Sequence, residues 1–122
     1  MPRFVILRHE CPPGYERPSH WDFMLEAGDV LRTWALAEEP RSGLSIAAEA
    51  LKDHRLAYLD YEGPVAGGRG SVTGWDRGTY EVVAEQADEL VISLAGEKLR
   101  GEVRLKRKSS GHGWTFMLNC AC

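Results

Sequence analysis

The stretch "HWDFMLEAGDVLRTWALA", residues 20–37, decides the fold class. Its first seven residues alternate. Trp21, Phe23 and Leu25 fall on one face, and His20, Asp22, Met24 and Glu26 on the other. "AGD" then interrupts the alternation with a turn signal, and "VLRTWALA" runs back as a second apolar segment. This is the signature of a β-hairpin. A strand that needed only a core would not carry His20 and Asp22 on one face, so the same stretch also raises the question of chemistry.

The pattern continues outward in both directions. "FVILRHE" (4–10) predicts a strand before the hairpin, and "LSIAAEALKDH" (44–54) one after it. The second contains helix formers, but Ile46, Ala48 and Ala50 alternate, which favours a strand. "GSVTGWD" and "GTYEVVA" flank "DRG" (76–78) and predict a second hairpin. "EQADEL" (85–90) predicts a single helical turn. "ELVISLAG", "LRGEVRLKRK" and "GWTFMLN" follow as strands, with "GEK" and "SSGHG" as turns. The run "RLKRK" (104–108) alternates as a strand with one wet face would, and this is favoured over a nucleic-acid patch. Seven or eight short strands in 122 residues predict one all-β domain, residues 1–122: a small closed or partly open antiparallel β-barrel with short helical turns. Closure removes the exposed edges that a small sheet must otherwise protect.

Composition sets the class of partner. The 43% hydrophobic and 27% charged residues suit a soluble globular chain, and the net charge of −3 argues against coating nucleic acid by charge alone. No apolar run reaches the roughly 18 to 20 residues needed to cross a bilayer, and the apolar start has no cleavage signal. Three cysteines, Cys11, Cys120 and Cys122, are then expected as reduced thiols of a cytoplasmic protein. The terminal "CAC" is a weak soft-metal signal.

The period of two puts His20 and Asp22 about 7 Å apart at Cα on one face. His9 ends the preceding strand, and the loop between them would fold it back toward His20. Two imidazoles and one carboxylate suit a divalent ion such as Mn²⁺ or Zn²⁺. The bland alternative is three unrelated polar residues on an exposed face. "LKDHRLAYLDYEG" adds His54 and Tyr58. They read either as a solvated histidine and a rim tyrosine, or as a phosphate contact and its orienting partner. The glycine-rich "GPVAGGRGS" lacks the lysine and helix of a phosphate-cradling loop; it reads as a flexible loop with Arg69 at its tip as a possible phosphate contact. His112 reads as a turn residue without a role.

Taken in order, "FVILRHE", "HWDFMLE", "LRTWAL", "KDHRLAYLDYEG", "WDRGTYE" and "GEKLRGEVRLKR…GWTFML" resemble the 3′-phosphoesterase domain of bacterial DNA ligase D, over about residues 4 to 118. That domain also occurs as a free-standing small protein. The resemblance implies a compact β-barrel with a concave active site. It implies a divalent metal, typically Mn²⁺, and removal of a 3′ ribonucleoside and then a 3′ phosphate from DNA ends in repair. It implies that His9, His20 and Asp22 hold the metal and that His54 and Tyr58 contact the scissile phosphate. Separate ligase or polymerase end-joining proteins would be partners.

Some positions depart from the family pattern. The loop after His9 is longer, contains "CPPG" and has Arg17 as its only arginine. Met24 and Ile46 stand where the family has arginines, and Lys52 where it has an acidic residue. An arginine clamps phosphate bidentately, and losing one such donor costs on the order of 3 kcal/mol. Arg17, Arg55, Arg69 and Lys52 are candidates to supply the missing charge. Alternatives are therefore a binding module that keeps the metal pocket for an end or a nucleotide, and a barrel whose polar face is incidental.

Overall fold

The computed structural model describes residues 1–15, 17–109 and 113–120. His112 and Cys122 lie outside the described residues. The strands are β1 (Arg3–Glu10), β2 (His20–Ala27), β3 (Val30–Leu36), β4 (Ser45–Arg55), β5 (Gly63–Pro64), β6 (Ser71–Gln86), β7 (Glu89–Gly96), β8 (Arg100–Arg107) and β9 (Gly113–Cys120). One 3₁₀ turn, Leu56–Leu59, follows β4. The order is β1-β2-β3-β4-β9-β8-β7-β6-β5, and a further β1–β6 pairing joins the ends into a ring of eight strands. Every pairing between these strands is antiparallel. The expected closed or partly open antiparallel all-β sheet is thus what the chain forms.

The alternation of β2 sorts its side chains between two apolar layers. Phe23 and Leu25 join Phe4, Ile6, Trp34, Phe116 and others in the core inside the ring. Met24 joins Val5, Leu7, Leu31, Leu59 and Val72 in a smaller layer on the outer face, beneath the 3₁₀ turn. Each fully buried side chain of this size contributes roughly 1.5–3 kcal/mol by leaving water. The outer layer is what lets polar side chains on the same face be held rigidly. At the β2–β3 hairpin, Ala27 pairs with Val30. Gly28, with φ +66, takes the first loop position, where a two-residue hairpin requires a left-handed residue.

Two expectations are corrected. "DRG" is not a turn: residues 71–86 form one continuous strand. Its turn-like residues have other causes. A bulge at Trp75 shifts the register between Asp76, opposite Ile6, and Gly74, opposite Leu7. The buried Asp76 carboxylate accepts backbone N–H bonds from Arg77, Glu97, Lys98 and Leu99, so it closes the β7–β8 turn instead of making one of its own. Gly78 is there for close approach, since a Cβ would stand 2.0 Å from the Ala95 carbonyl oxygen. "EQADEL" is not helical either. Gln86 pairs with Glu89 across a two-residue turn joining β6 to β7, and the strand pairing on both sides leaves no room for a helical turn.

β4 confirms the strand preferred for residues 44–54, but with a bulge. Thr33 pairs with Leu51 and Leu31 with His54, so β4 has one residue more than β3 in that interval. The extra residue reverses its alternation. Ile46 and Ala48 face the inner core, whereas His54 lies opposite Leu31 of the outer layer.

Candidate metal centre

His9 and His20 are directly opposed on neighbouring strands, and Leu7 opposes Asp22. Directly opposed side chains lie close enough to touch, and the two imidazole centroids are 4.7 Å apart. Asp22 sits between them. Its Oδ2 is 3.2 Å from His9 Nδ1 and its Oδ1 is 3.0 Å from His20 Nε2.

The remaining nitrogens fix the chemistry. His9 Nε2 lies 2.7 Å from the Arg69 carbonyl oxygen, and His20 Nδ1 lies 2.8 Å from that of Pro18. A carbonyl oxygen only accepts, so each of these nitrogens carries the proton. In the neutral rings, His9 Nδ1 and His20 Nε2 then aim lone pairs at a carboxylate. Asp22 Oδ1 is buried and, among the described residues, has no hydrogen-bond donor despite its 3.0 Å approach to His20. Lone pairs facing lone pairs need a cation or an extra proton between them. His9, His20 and Asp22 could therefore hold a divalent ion between them, with the Arg69 and Pro18 carbonyls fixing the tautomers.

Without an ion, protons take that part. Burial alone would raise the Asp22 carboxyl, but contacts with His20 and His9 outweigh it and hold the group at about 2. The Asp22 contact raises His9 above its ordinary value, against its partial burial. These two shifts describe one pair from its two ends. For Asp22 the stabilisation is complete above its ordinary value of 3.8 and is lost as pH falls toward about 2. For His9 it is complete below its ordinary 6.5 and declines as pH rises through the elevated folded value. In chelator, the stability gap between wild type and Asp22→Asn is expected to be on the order of 2 kcal/mol between about pH 5 and 6. It should close as pH falls from about 4 to about 2. Urea denaturation across that range checks this, and a gap independent of pH contradicts it.

All the other candidate residues line the same cavity of about 490 Å³ with this triad: His54, Tyr58, Arg17, Arg55 and Arg69. Lys52 and Met24 line it too, and Ile46 does not. Ile46 is fully buried inside the ring, because the β4 bulge puts it on the opposite face from His54. Its lack of charge therefore leaves no gap in this cavity. His54 Nδ1 donates to the Lys52 carbonyl at 2.8 Å, which leaves Nε2 available. The Tyr58 ring packs edge-on against His54 with centroids 5.7 Å apart. Arg17 pairs with Glu49 at 3.0 Å. Arg69 Nε donates to the Ala66 carbonyl, and Val65 N–H donates to Gly70, which closes the loop against β1. A second, more apolar cavity of about 350 Å³ adjoins the first and shares Arg55, Tyr58 and Val65; Tyr61 lies on its wall.

Sequence reasoning missed three contributors. Tyr15 and Asp53 line the cavity. Cys11 forms a group with His9 and His20 whose ligand atoms all lie within 4.8 Å of one another, and such a group could hold a metal ion. The period of two from Leu7 through His9 to Cys11 was the available signal.

Among the described residues no helix is long and apolar enough to cross a membrane. A family model described as the DNA Ligase D 3′-phosphoesterase domain matches residues 14–107, which include His20, Asp22, His54 and Tyr58 but not His9. The chain is 32% identical over 120 residues to the multifunctional non-homologous end joining DNA repair protein LigD of Mycobacterium tuberculosis, covering 91% of this chain and 15% of that protein. It is 34% identical over 115 residues to the LigD of Pseudomonas aeruginosa, covering 86% of this chain and 13% of that one. The chain thus spans only a small part of the relatives it matches. On the family match and the identity along nearly its whole length, the chain belongs to the DNA ligase D 3′-phosphoesterase domain family.

Proposed function

We propose that this chain is a divalent-metal-dependent phosphoesterase that trims 3′ ends of DNA, removing a terminal ribonucleoside and then the 3′ phosphate, in end-joining repair. The observation that carries the proposal is the convergence of His9 Nδ1, His20 Nε2 and the Asp22 carboxylate, with the outer nitrogens tied to carbonyls. Mn²⁺ is the preferred ion, with Zn²⁺ an alternative; bound there, it would supply Lewis acidity toward a phosphoryl oxygen and activate water.

The chain's own groups have separable tasks. His54, with Nδ1–H held by the Lys52 carbonyl, offers Nε2 to a phosphate oxygen or leaving group as hydrogen-bond partner or, when protonated, as general acid. Tyr58 limits the rotation of that ring. Arg17, Arg55, Arg69 and Lys52 give the cavity wall positive charge for the phosphate. The adjoining cleft beside Tyr58 and Tyr61 suits the terminal base. The relatives' names supply the end-joining context, in which separate ligase or polymerase proteins would act on the trimmed end.

The test is release of phosphate from a primer-template bearing a 3′ phosphate, with Mn²⁺. Wild type is expected to be active, and chelator and His20→Ala to abolish the activity. His54→Ala is expected to lower kcat by about 10²- to 10⁴-fold while Mn²⁺ affinity stays constant. Activity that survives His20→Ala would rule out this site. A second reading, a binding module that keeps the pocket but does not turn over, is favoured by one observation. Met24 is buried in the outer apolar layer yet lines the cavity without any charge. Wild-type protein that binds the end and Mn²⁺ but releases no phosphate would support it.

A further inference from the structure

Each imidazole has two nitrogens, and the centre has polar groups on both sides of the histidine pair. Asp22 faces one nitrogen of each ring. The other two face backbone carbonyls, and Cys11 Sγ lies 3.9 Å from the one on His20, Nδ1. The position of Cys11 is built in. Its N–H donates to Ser19 Oγ at 3.0 Å, which ties the loop's first residue to the one before His20.

We propose that Cys11 gives this centre a second, thiophilic donor set, in which His9, Cys11 and His20 bind an ion of the Zn²⁺ class. The proposal rests on the metal reading above and extends it to an alternative occupant. Two observations support it. The three ligand atoms lie within 4.8 Å of one another, and a tetrahedral zinc site needs sulfur and nitrogen about 3.5 Å apart, a contraction of an ångström or so. If the imidazole protons move to the Asp22 side, the buried Asp22 Oδ1, which has no donor among the described residues, accepts the His20 Nε2 proton. That places the carboxylate behind both histidines, an arrangement that recurs around protein-bound zinc.

Softness then selects the ion. A thiolate favours Zn²⁺ over Mn²⁺, whereas a carboxylate suits Mn²⁺. Binding displaces the thiol proton to solvent, and the carbonyls of Pro18 and Arg69 give up their imidazole partners. Because both donor sets use the same two rings, one ion excludes the other. Zn²⁺ would hold the centre in a state that competes with Mn²⁺.

Co²⁺, a spectroscopic stand-in for Zn²⁺, tests this in a protein carrying Cys120→Ser and Cys122→Ser. One equivalent is expected to produce a near-ultraviolet thiolate-to-cobalt charge-transfer band. Zn²⁺ should bleach it, and adding Cys11→Ser should remove it. Cys11→Ser should also weaken Zn²⁺ binding by about tenfold or more and leave Mn²⁺ affinity, read by electron paramagnetic resonance, within about twofold. Cobalt that binds with visible ligand-field bands but no charge-transfer band would overturn the role of Cys11 and leave the His9, His20 and Asp22 site standing. Absence of both Co²⁺ and Mn²⁺ binding would overturn both.

Discussion

Asp22→Asn is expected to lose Mn²⁺-dependent release of a 3′ phosphate by at least about 10²-fold, more than the usual cost of an outer-shell substitution at a metal site. Asparagine matches aspartate in shape, so the strand and the outer apolar layer are undisturbed. What changes is charge and donor chemistry. The carboxylate lies against His9 Nδ1 and His20 Nε2, and both of these are lone-pair nitrogens when the carbonyls hold the opposite protons. An amide brings at most one oxygen to this position. Its NH₂ group turns toward an imidazole lone pair and forms a hydrogen bond where an ion would otherwise sit. Mn²⁺ affinity should fall together with kcat, and saturating metal should recover only part of the rate. An Asp22→Asn protein that releases phosphate at the wild-type rate would show that the carboxylate is not a ligand.

The largest effect on stability is expected at Asp76, which does not line the candidate centre's cavity. Its Oδ1 accepts from the N–H groups of Arg77, Glu97 and Lys98, and its Oδ2 from that of Leu99, all at 2.9 Å. The residue is 4% exposed, so water is a poor substitute. Gly96 allows the approach, since a Cβ there would stand 2.5 Å from Asp76 Oδ2. Asp76→Ala leaves several backbone donors without a partner, and Asp76→Asn turns an NH₂ toward at least one of them. A loss of roughly 3–5 kcal/mol is expected for either, measured as a shift in the urea midpoint at constant slope. A loss under about 1 kcal/mol would mean that the β7–β8 turn finds other partners.

The hairpin at residues 20–37 was legible because alternation and a two-residue glycine turn agree. The same alternation put His20 and Asp22 on one face, and the strand pairing then set His9 opposite His20. Bulges were not legible. The extra residue in β4 turns His54 away from the Ile46 face, so counting eight residues back from His54 leads to the wrong side of the sheet. The bulge at Trp75 likewise made a long strand look like two strands and a turn. Asp76 and Gly78 resemble turn residues because they serve a neighbouring turn and a close strand approach, neither of which leaves a local signature. Cys11 continues the period of two from Leu7 and His9, but it lies in the "CPPG" loop just past the end of β1, so that signal is weak until its N–H is seen to be held by Ser19.

The most direct measurement is a crystal structure of the Mn²⁺-soaked protein with anomalous difference density. The account predicts one strong peak within coordination distance of His9 Nδ1, His20 Nε2 and an Asp22 oxygen. No peak at saturating Mn²⁺, or a peak bound elsewhere with these three side chains still joined only to one another, would contradict it.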